Sequence, residues 1–145
     1  MKTIALRFGD NLAPACGTIL AHQEYIKKDG FVWYGKFGKA ISTRVAEEIS
    51  KNKPFKVLLI RSAKTERYWA TVEEISFSTP SINNIPSYYT DLRYLIKCWF
   101  KVVSFEKAPK DVMSKCIVIS SRTPLSEVSR SSMSPYFIID YCEEM

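Results

Sequence analysis

The chain has 145 residues, the usual size of one domain, and we expect residues 1–145 to fold as a single domain. Hydrophobic residues make up 46% and charged residues 25%, a composition that excludes a disordered chain or a fibrous repeat. The net charge of +6 favours an anionic partner, although basic proteins of this size without a nucleic-acid role are common.

The N-terminus, the apolar runs and the cysteines restrict the class of protein further. Lys2 and Arg7 interrupt the first apolar stretch, so we expect no signal peptide. The longest apolar runs are strand-sized and fall short of the ~18 residues that cross a bilayer. The four cysteines have no close pair, which indicates buried, reduced thiols rather than a zinc ribbon or a disulfide framework. We therefore expect a cytoplasmic protein with no membrane partner.

Alternating apolar residues and helix-capping residues predict the first elements. In chain order they are a strand over 2–8, a short helix near 21–28, a strand over 31–37, and a helix capped by Ser42 or Thr43 and closed by Pro54. The first strand follows from Ile4, Leu6 and Phe8, which alternate with small or polar residues. Asp29-Gly30 should end the first helix, because glycine readily adopts the left-handed conformation found there.

The rest of the chain is predicted to be mostly strand. The strands are expected over 55–62, 67–77, about 96–105, 113–120 and 136–141. The first two should form a hairpin, because few residues separate them. Residues 79–90 contain two prolines and two asparagines and should form an ordered loop. Thr123 can cap a short helix with Pro124 at its first position.

Strands dominate this order, and short loops join too many of them for a doubly wound parallel sheet. The predicted class is α+β. We expect a small, curved, mainly antiparallel sheet or barrel with two or three short peripheral helices.

The sequence offers little catalytic machinery. His22 is the only histidine, and the nearest candidate nucleophile, Cys16, lies six residues before it. A lone histidine is more often structural or ligand-contacting, so a Cys-His hydrolase is the weaker alternative. No His, Cys or carboxylate cluster has the spacing of metal ligands. We expect no enzyme activity, no metal and no cofactor.

The tryptophans are more informative. Alternation places Trp99 on one strand face with Lys97 and Lys101, and it places Trp69 on the same face as Arg67. An indole among cations suits nucleic acid, because it can stack on a base for ~1–3 kcal/mol while the cations meet phosphate. The alternative is that helices cover this face and that the indoles fill a second core.

Two further segments carry polar chemistry. Trp33-Tyr34-Gly35-Lys36 combines an indole, a phenol, a small residue and a cation within four positions. The serine-rich segment 129–134, with Arg122, has the groups to hold a phosphate. Serines also cap and end helices, which is the simpler interpretation of this segment.

Three segments resemble the PUA-like superfamily. They are the hairpin over 55–77, the stretch Trp33-Tyr34-Gly35-Lys36 before it, and the strand Trp99-Phe100-Lys101-Val102 after it. The likeness spans most of the chain and is greatest to the EVE and ASCH branches. As a whole, the chain also resembles small proteins encoded by bacterial viruses, which implies the host cytoplasm as its setting.

The resemblance implies binding of RNA, or of DNA that carries a modified base. A flipped base would be held in an aromatic pocket between the first loop and the barrel. The residues that match are Trp33 and Trp69 for stacking, Asp10 and Asn11 for the base edge, and Arg67 and Lys36 for phosphate. His22 departs from the family pattern, and together with Tyr34 it completes the predicted ligand-binding set.

Two functions therefore remain. The first is a nucleic-acid-binding module that recognises RNA or a modified base through an aromatic pocket. The alternative is a viral or mobile-element factor that binds a host protein through its aromatic face. In either case we expect a monomer or a weak dimer.

Overall fold

A computed structural model of the protein describes residues 1–8, 17–61, 66–80 and 84–142, with the backbone alone described at residues 89 and 90. The strands are β1 Lys2–Phe8, β2 Val32–Lys36, β3 Phe55–Arg61, β4 Arg67–Ser76, β5 Cys98–Lys107, β6 Cys116–Val118, β7 Thr123–Pro124 and β8 Tyr136–Tyr141. The α-helices are α1 Thr18–Asp29, α2 Thr43–Ile49 and α3 Leu125–Ser131, and two 3₁₀ helices cover Ser87–Leu95 and Val112–Lys115.

The eight strands form one mixed sheet in the order β2-β5-β4-β3-β1-β8-β6-β7. β1 and β3 are parallel, whereas the pairs β1–β8, β2–β5, β6–β7 and β6–β8 are antiparallel. The order has two end strands, so the sheet is open and does not close into a barrel. The predicted α+β class and the mainly antiparallel sheet are confirmed, and of the two predicted forms the sheet is open rather than a barrel.

The parallel pairing of β1 and β3 positions the candidate site described below. Parallel neighbours need a long crossover, and the 46 residues between Phe8 and Phe55 supply it. Phe8 pairs with Arg61, so both strands finish at the same edge of the sheet.

The chain divides into two compact units, which we describe separately. Unit 1 contains residues 1–8, 56–69 and 106–145. Its core is a cluster of buried residues from strands and helices of that unit: Ala5, Leu58, Ile60, Trp69, Ala108, Val112, Met113, Cys116, Val118, Leu125, Phe137 and Ile139. That the whole chain is one domain stays a prediction.

Unit 2 contains residues 9–55 and 70–105. One of its buried clusters consists of Trp33, Ile85, Ile96 and Trp99. Gly35 is part of this packing, because a Cβ there would lie 2.7 Å from Ile96 Cδ1 and 3.1 Å from the Trp99 ring. A side chain at this position would therefore force the isoleucine and the indole away from β2.

Several local predictions are confirmed. The observed β1 and β8 have the predicted bounds, and α2 begins after Ser42. The Ser42 hydroxyl oxygen accepts a hydrogen bond from the Val45 backbone N–H at 3.1 Å, as an N-cap does. Gly30 ends α1 at a φ of 87°, in the left-handed region.

Three local predictions are wrong. The predicted loop over 79–90 contains the start of the 3₁₀ helix Ser87–Leu95, and the predicted strand over 113–120 begins as the 3₁₀ helix Val112–Lys115. Thr123 does not cap α3, which begins one residue later than predicted, at Leu125. The reason is that Thr123–Pro124 pairs with β6, and this pairing requires extended backbone.

Candidate functional site

Four residues define the candidate site in unit 1, where β1 and β3 end and β4 begins. We call Phe8, Arg61, Arg67 and Tyr68 the edge cluster. The Arg61 guanidinium carbon lies 5.7 Å from the centroid of the Phe8 ring. The Tyr68 ring meets Phe8 edge-on, with centroids 6.4 Å apart and planes inclined by 65°. Arg67 is the first residue of β4, which neighbours β3 in the sheet.

The strand pattern explains why these residues meet. Parallel register brings Phe8 to Arg61, and the short connection from Arg61 to Arg67 returns the chain to the same edge. The main-chain N–H of Ala108 donates to the Arg67 carbonyl at 2.9 Å and fixes the start of β4. The cluster is therefore built on strand ends, whose backbone the sheet holds in place.

Arg61 of the edge cluster forms an ion pair that water can reach. Arg61 Nη1 lies 3.1 Å from Glu66 Oε2, and the two side chains are 25% and 49% exposed. An ion pair this accessible to water contributes less than about 1 kcal/mol. Glu66 therefore orients the Arg61 guanidinium, and an anionic ligand can compete with it.

The aromatic residues of the edge cluster differ in their access to solvent. Phe8 is buried and supports the Arg61 guanidinium through a cation–π contact. Tyr68 is half-buried, so part of this residue remains accessible to solvent. The face that carries Phe8 thus offers one stacking ring and the Arg61 guanidinium, a fork-shaped donor that suits phosphate. Strand alternation places the Arg67 side chain on the other face of β4, at the same end of the sheet.

Trp69 follows the edge cluster along β4 but belongs to the core. It is 6% exposed, and its ring centroid lies 5.0 Å from that of Tyr141. Alternation predicted a polar face for this indole. The buried cluster of unit 1 contains Trp69 together with Val112, Met113 and Leu125 from its helices, so the face of β4 that carries this indole is covered.

Trp33 and Trp99 are also buried, with 9% and 0% of their surface exposed. Both belong to the unit 2 cluster with Ile85 and Ile96. The prediction of a polar-faced Trp99 is therefore wrong, and the alternative interpretation, an indole that fills a core, describes this residue. Neither ring presents the open face that base stacking requires.

Lys36 is buried rather than placed to meet phosphate. Its ammonium group donates to the carbonyls of Phe37 and Lys39 and so holds the turn between them, where Gly38 adopts a φ of 79°. Burial lowers the pKa of Lys36. In the sheet it pairs with Cys98, where burial raises the thiol pKa to about 11.

His22 lies at the centre of aromatic rings in unit 2 and is fully buried. Its Nδ1 is 2.8 Å from the Thr18 carbonyl, which can only accept, so Nδ1 carries the proton. The Tyr88 hydroxyl lies 3.0 Å from the same nitrogen. The rings of Tyr34, Tyr88 and Phe105 surround the imidazole at 5.2, 6.0 and 6.1 Å.

Burial determines the charge of this imidazole. It lowers the pKa of His22 to about 4, while the hydrogen bond to Thr18 acts in the opposite direction. His22 is therefore neutral near pH 7. With Tyr34, which is 5% exposed, it forms part of a packed interior.

The predicted site residues therefore lie in different parts of the structure. Arg67 lies in the edge cluster, and Trp69 lies in the core of the same unit. His22, Trp33, Tyr34 and Lys36 are interior residues of unit 2. Asp10 and Asn11 lie outside the described residues, as does Cys16.

Sequence reasoning missed Phe8, Arg61 and Tyr68. Phe8 and Arg61 stand at the ends of two correctly predicted strands. The missing information was that these strands are parallel neighbours. One sequence signal could have indicated this edge. One arginine ends an apolar strand, and a second arginine begins the strand that follows it in the chain.

Two findings concern other kinds of site. Within the described ranges, no three His, Cys, Asp or Glu side chains are grouped so that they could hold a metal ion. Among the described helices, none combines the length and the apolar character that crossing a bilayer requires.

Comparison with known proteins identifies the family. No curated protein matches the chain, and no solved structure matches it. A family model described as PUA-like matches residues 4–140. PUA-like domains are generally modules that bind RNA or other nucleic acids. Because the match covers nearly the whole chain, the protein belongs to the PUA-like family.

Proposed function

We propose that the protein binds single-stranded nucleic acid, or an unpaired base within a duplex, through the edge cluster. The observation that carries this proposal is the contact of Arg61 and Tyr68 with the Phe8 ring, at the end of the sheet where β4 begins with Arg67. Membership of the PUA-like family supports it. The net charge of +6 is consistent with a polyanionic ligand.

Each residue of the edge cluster has a role in this proposal. Tyr68 stacks on a base, a contact worth about 1–3 kcal/mol. Arg61 and Arg67 hold the adjoining phosphates, and Glu66 and Phe8 keep the Arg61 guanidinium oriented before the ligand arrives. A base in a duplex would first have to leave its stack, which costs least for a mismatched or modified base.

We further propose that the protein binds without catalysing a reaction. Burial raises the pKa of the Cys98 thiol to about 11 and that of Cys116 to about 12, so neither supplies a thiolate near pH 7. The His22 imidazole is buried among aromatic rings and has its Nδ1 proton held by a main-chain carbonyl. Such groups are typical of a folded interior rather than of an accessible nucleophile and base.

The experiment is a fluorescence anisotropy titration of a labelled RNA strand of about 12 nucleotides, repeated with the matching DNA strand. Arg61→Ala and Arg67→Ala are each expected to weaken binding by about 5- to 10-fold, because each removes a phosphate contact. The slope of log affinity against log salt should fall by about 0.7 for each arginine removed.

Arg130→Ala is the matched control, since it removes the same charge from an exposed position on α3. That helix packs against β6 and β7, which β1 and β8 separate from β3 in the sheet. Binding by the control should stay within about twofold of the wild type. Equal effects of all three substitutions would show a diffuse electrostatic attraction and would contradict a site at the edge.

A further inference from the structure

A second surface in unit 2 exposes large apolar side chains beside cations. Tyr94 is 67% exposed, Leu95 49% and Phe77 41%. Arg93 and Lys97 are exposed on either side of the Tyr94–Leu95 pair in the sequence. We call these five residues the Tyr94 surface. Single exposed apolar residues are ordinary, but a group of them with two cations is typical of a binding surface.

The 3₁₀ helix that carries Tyr94 is anchored at both of its ends. At its start, the Ser87 N–H donates to the Tyr25 hydroxyl at 2.9 Å. At its end, the Ile96 N–H donates to the Arg93 carbonyl at 3.1 Å, and the Ile96 side chain is buried against Trp99. Tyr94 and Leu95 therefore project from a held backbone, which lowers the entropic cost of presenting them to a ligand.

The strand ends bring Phe77 and Lys97 to the same side of unit 2. β4 and β5 are neighbours in the sheet, and Lys101 Nζ lies 3.9 Å from Glu73 Oε1 across them. β4 ends at Ser76 and β5 begins at Cys98, a few residues from that ion pair in each strand. The two strands run in opposite directions, because Arg67 at the start of β4 lies beside Ala108 just after β5, whereas Glu73 lies beside Lys101. Phe77 and Lys97 therefore flank the same end of the pair.

The charge of this surface indicates its ligand. Between residues 91 and 97 the exposed charged side chains are Arg93 and Lys97, against one carboxylate, Asp91. Aromatic rings that alternate with cations match a strand of nucleic acid, in which flat bases alternate with phosphates. We propose that the Tyr94 surface is a second contact for single-stranded nucleic acid. In it Tyr94 stacks on a base, and Arg93 and Lys97 meet the neighbouring phosphates.

This inference rests on the proposed function and assigns it an additional contact. The test uses Tyr94→Ala in the full chain, with a labelled single-stranded RNA of about 12 nucleotides as the probe. Tyr94→Ala should weaken binding about 10-fold, whereas Tyr94→Phe, which keeps the ring, should bind within about twofold of the wild type. Because the side chain is exposed, the melting temperature of both variants should equal that of the wild type.

Leu20→Ala is the matched control, because Leu20 is an apolar residue of the same unit, on α1, with 55% exposure. It should leave the affinity unchanged. If Tyr94→Ala binds RNA like the wild type while Arg61→Ala binds weakly, the second contact is overturned and the proposed function stands. If Tyr94→Ala weakens binding and the arginine substitutions do not, the edge cluster is overturned and the Tyr94 surface stands. A wild-type chain that binds neither RNA nor DNA overturns both.

Discussion

Replacing Arg7 with alanine is expected to lower the free energy of unfolding by about 3 kcal/mol. The Arg7 Nε donates to the Ser134 carbonyl at 2.9 Å. Its Nη2 donates to the carbonyls of Ser129 and Ser132 at 2.8 and 2.7 Å. The guanidinium carbon also lies 5.4 Å from the centroid of the Phe137 ring. One side chain of β1 therefore ties down the end of α3 and the segment that leads into β8.

The size of this effect follows from the carbonyls that would lose their partner. Hydrogen bonds that involve a charged donor contribute more than neutral ones, and part-buried carbonyls left without a donor cost additional free energy. Lysine should not restore the stability, because a single ammonium group cannot reproduce the spread of a guanidinium fork. The serine-rich segment is thus held to an arginine through its backbone carbonyls, and serines near a helix end explain the pattern without a phosphate.

Urea unfolding monitored by circular dichroism measures this prediction. Arg44→Ala serves as the control, because the Arg44 side chain is 90% exposed and its ion pair with Glu48 lies on the surface of α2. Its free energy of unfolding should change by less than about 0.5 kcal/mol. A loss of less than about 1 kcal/mol for Arg7→Ala would mean that these three hydrogen bonds do not hold the end of α3.

The second large effect is a loss of stability in mild acid that originates at His22. Its pKa is about 4 in the folded chain, against 6.5 for a histidine exposed to water, as in the unfolded chain. Between these values the unfolded chain binds a proton that the folded chain does not. The contribution of the neutral His22 to the free energy of unfolding is therefore fully present above pH 6.5, and it is lost as the pH falls to about 4. At about 1.4 kcal/mol per pKa unit, the total loss is about 3 kcal/mol.

Two measurements test this prediction. Because His22 is the only histidine, its Cε1–H signal can be followed by NMR without ambiguity, and it should titrate near pH 4. The stability of wild type and His22→Asn should then be compared between pH 7 and pH 4. Asparagine can keep a donor near Thr18 but does not titrate, so it isolates the histidine from the carboxylates that titrate in acid. A midpoint near 6.5, or two parallel stability curves, would contradict the buried, neutral imidazole.

Local sequence patterns are sufficient to predict most of the helices and strands. β1 and β8 were predicted with their observed bounds, because alternation over six or seven residues is a strong signal. The capping role of Ser42 was also predicted from local chemistry. The 3₁₀ helix Ser87–Leu95 was missed, because a segment with prolines and asparagines can form either a loop or a short helical turn.

The candidate site could not be predicted in the same way. Phe8 and Arg61 are 53 positions apart in the sequence, and only the parallel pairing of β1 and β3 brings them together. Alternation assigns side chains to two faces of a strand but does not show whether the second face is covered. Trp69 and Trp99 were therefore placed with polar neighbours in sequence, whereas the structure buries them.

This burial also bears on the alternative function. A factor that binds a host protein through an aromatic face would need its indoles on the surface. All three tryptophans are at most 9% exposed. The accessible aromatic rings of the described residues are instead tyrosines and phenylalanines such as Tyr68, Phe77 and Tyr94, and cations accompany them. These rings and cations, rather than the indoles, are the groups on which the proposed nucleic-acid contacts rest.

The most direct test of nucleic-acid binding at the edge cluster is photo-cross-linking. A single-stranded RNA with 5-iodouridine in place of uridine would be irradiated with the wild-type chain, and the adducts located by peptide sequencing in a mass spectrometer. We predict an adduct on Tyr68, which high salt and the double substitution Arg61→Ala/Arg67→Ala should both diminish. Cross-links that avoid Tyr68, or an adduct there that is unaffected by removal of both arginines, would contradict binding at this edge.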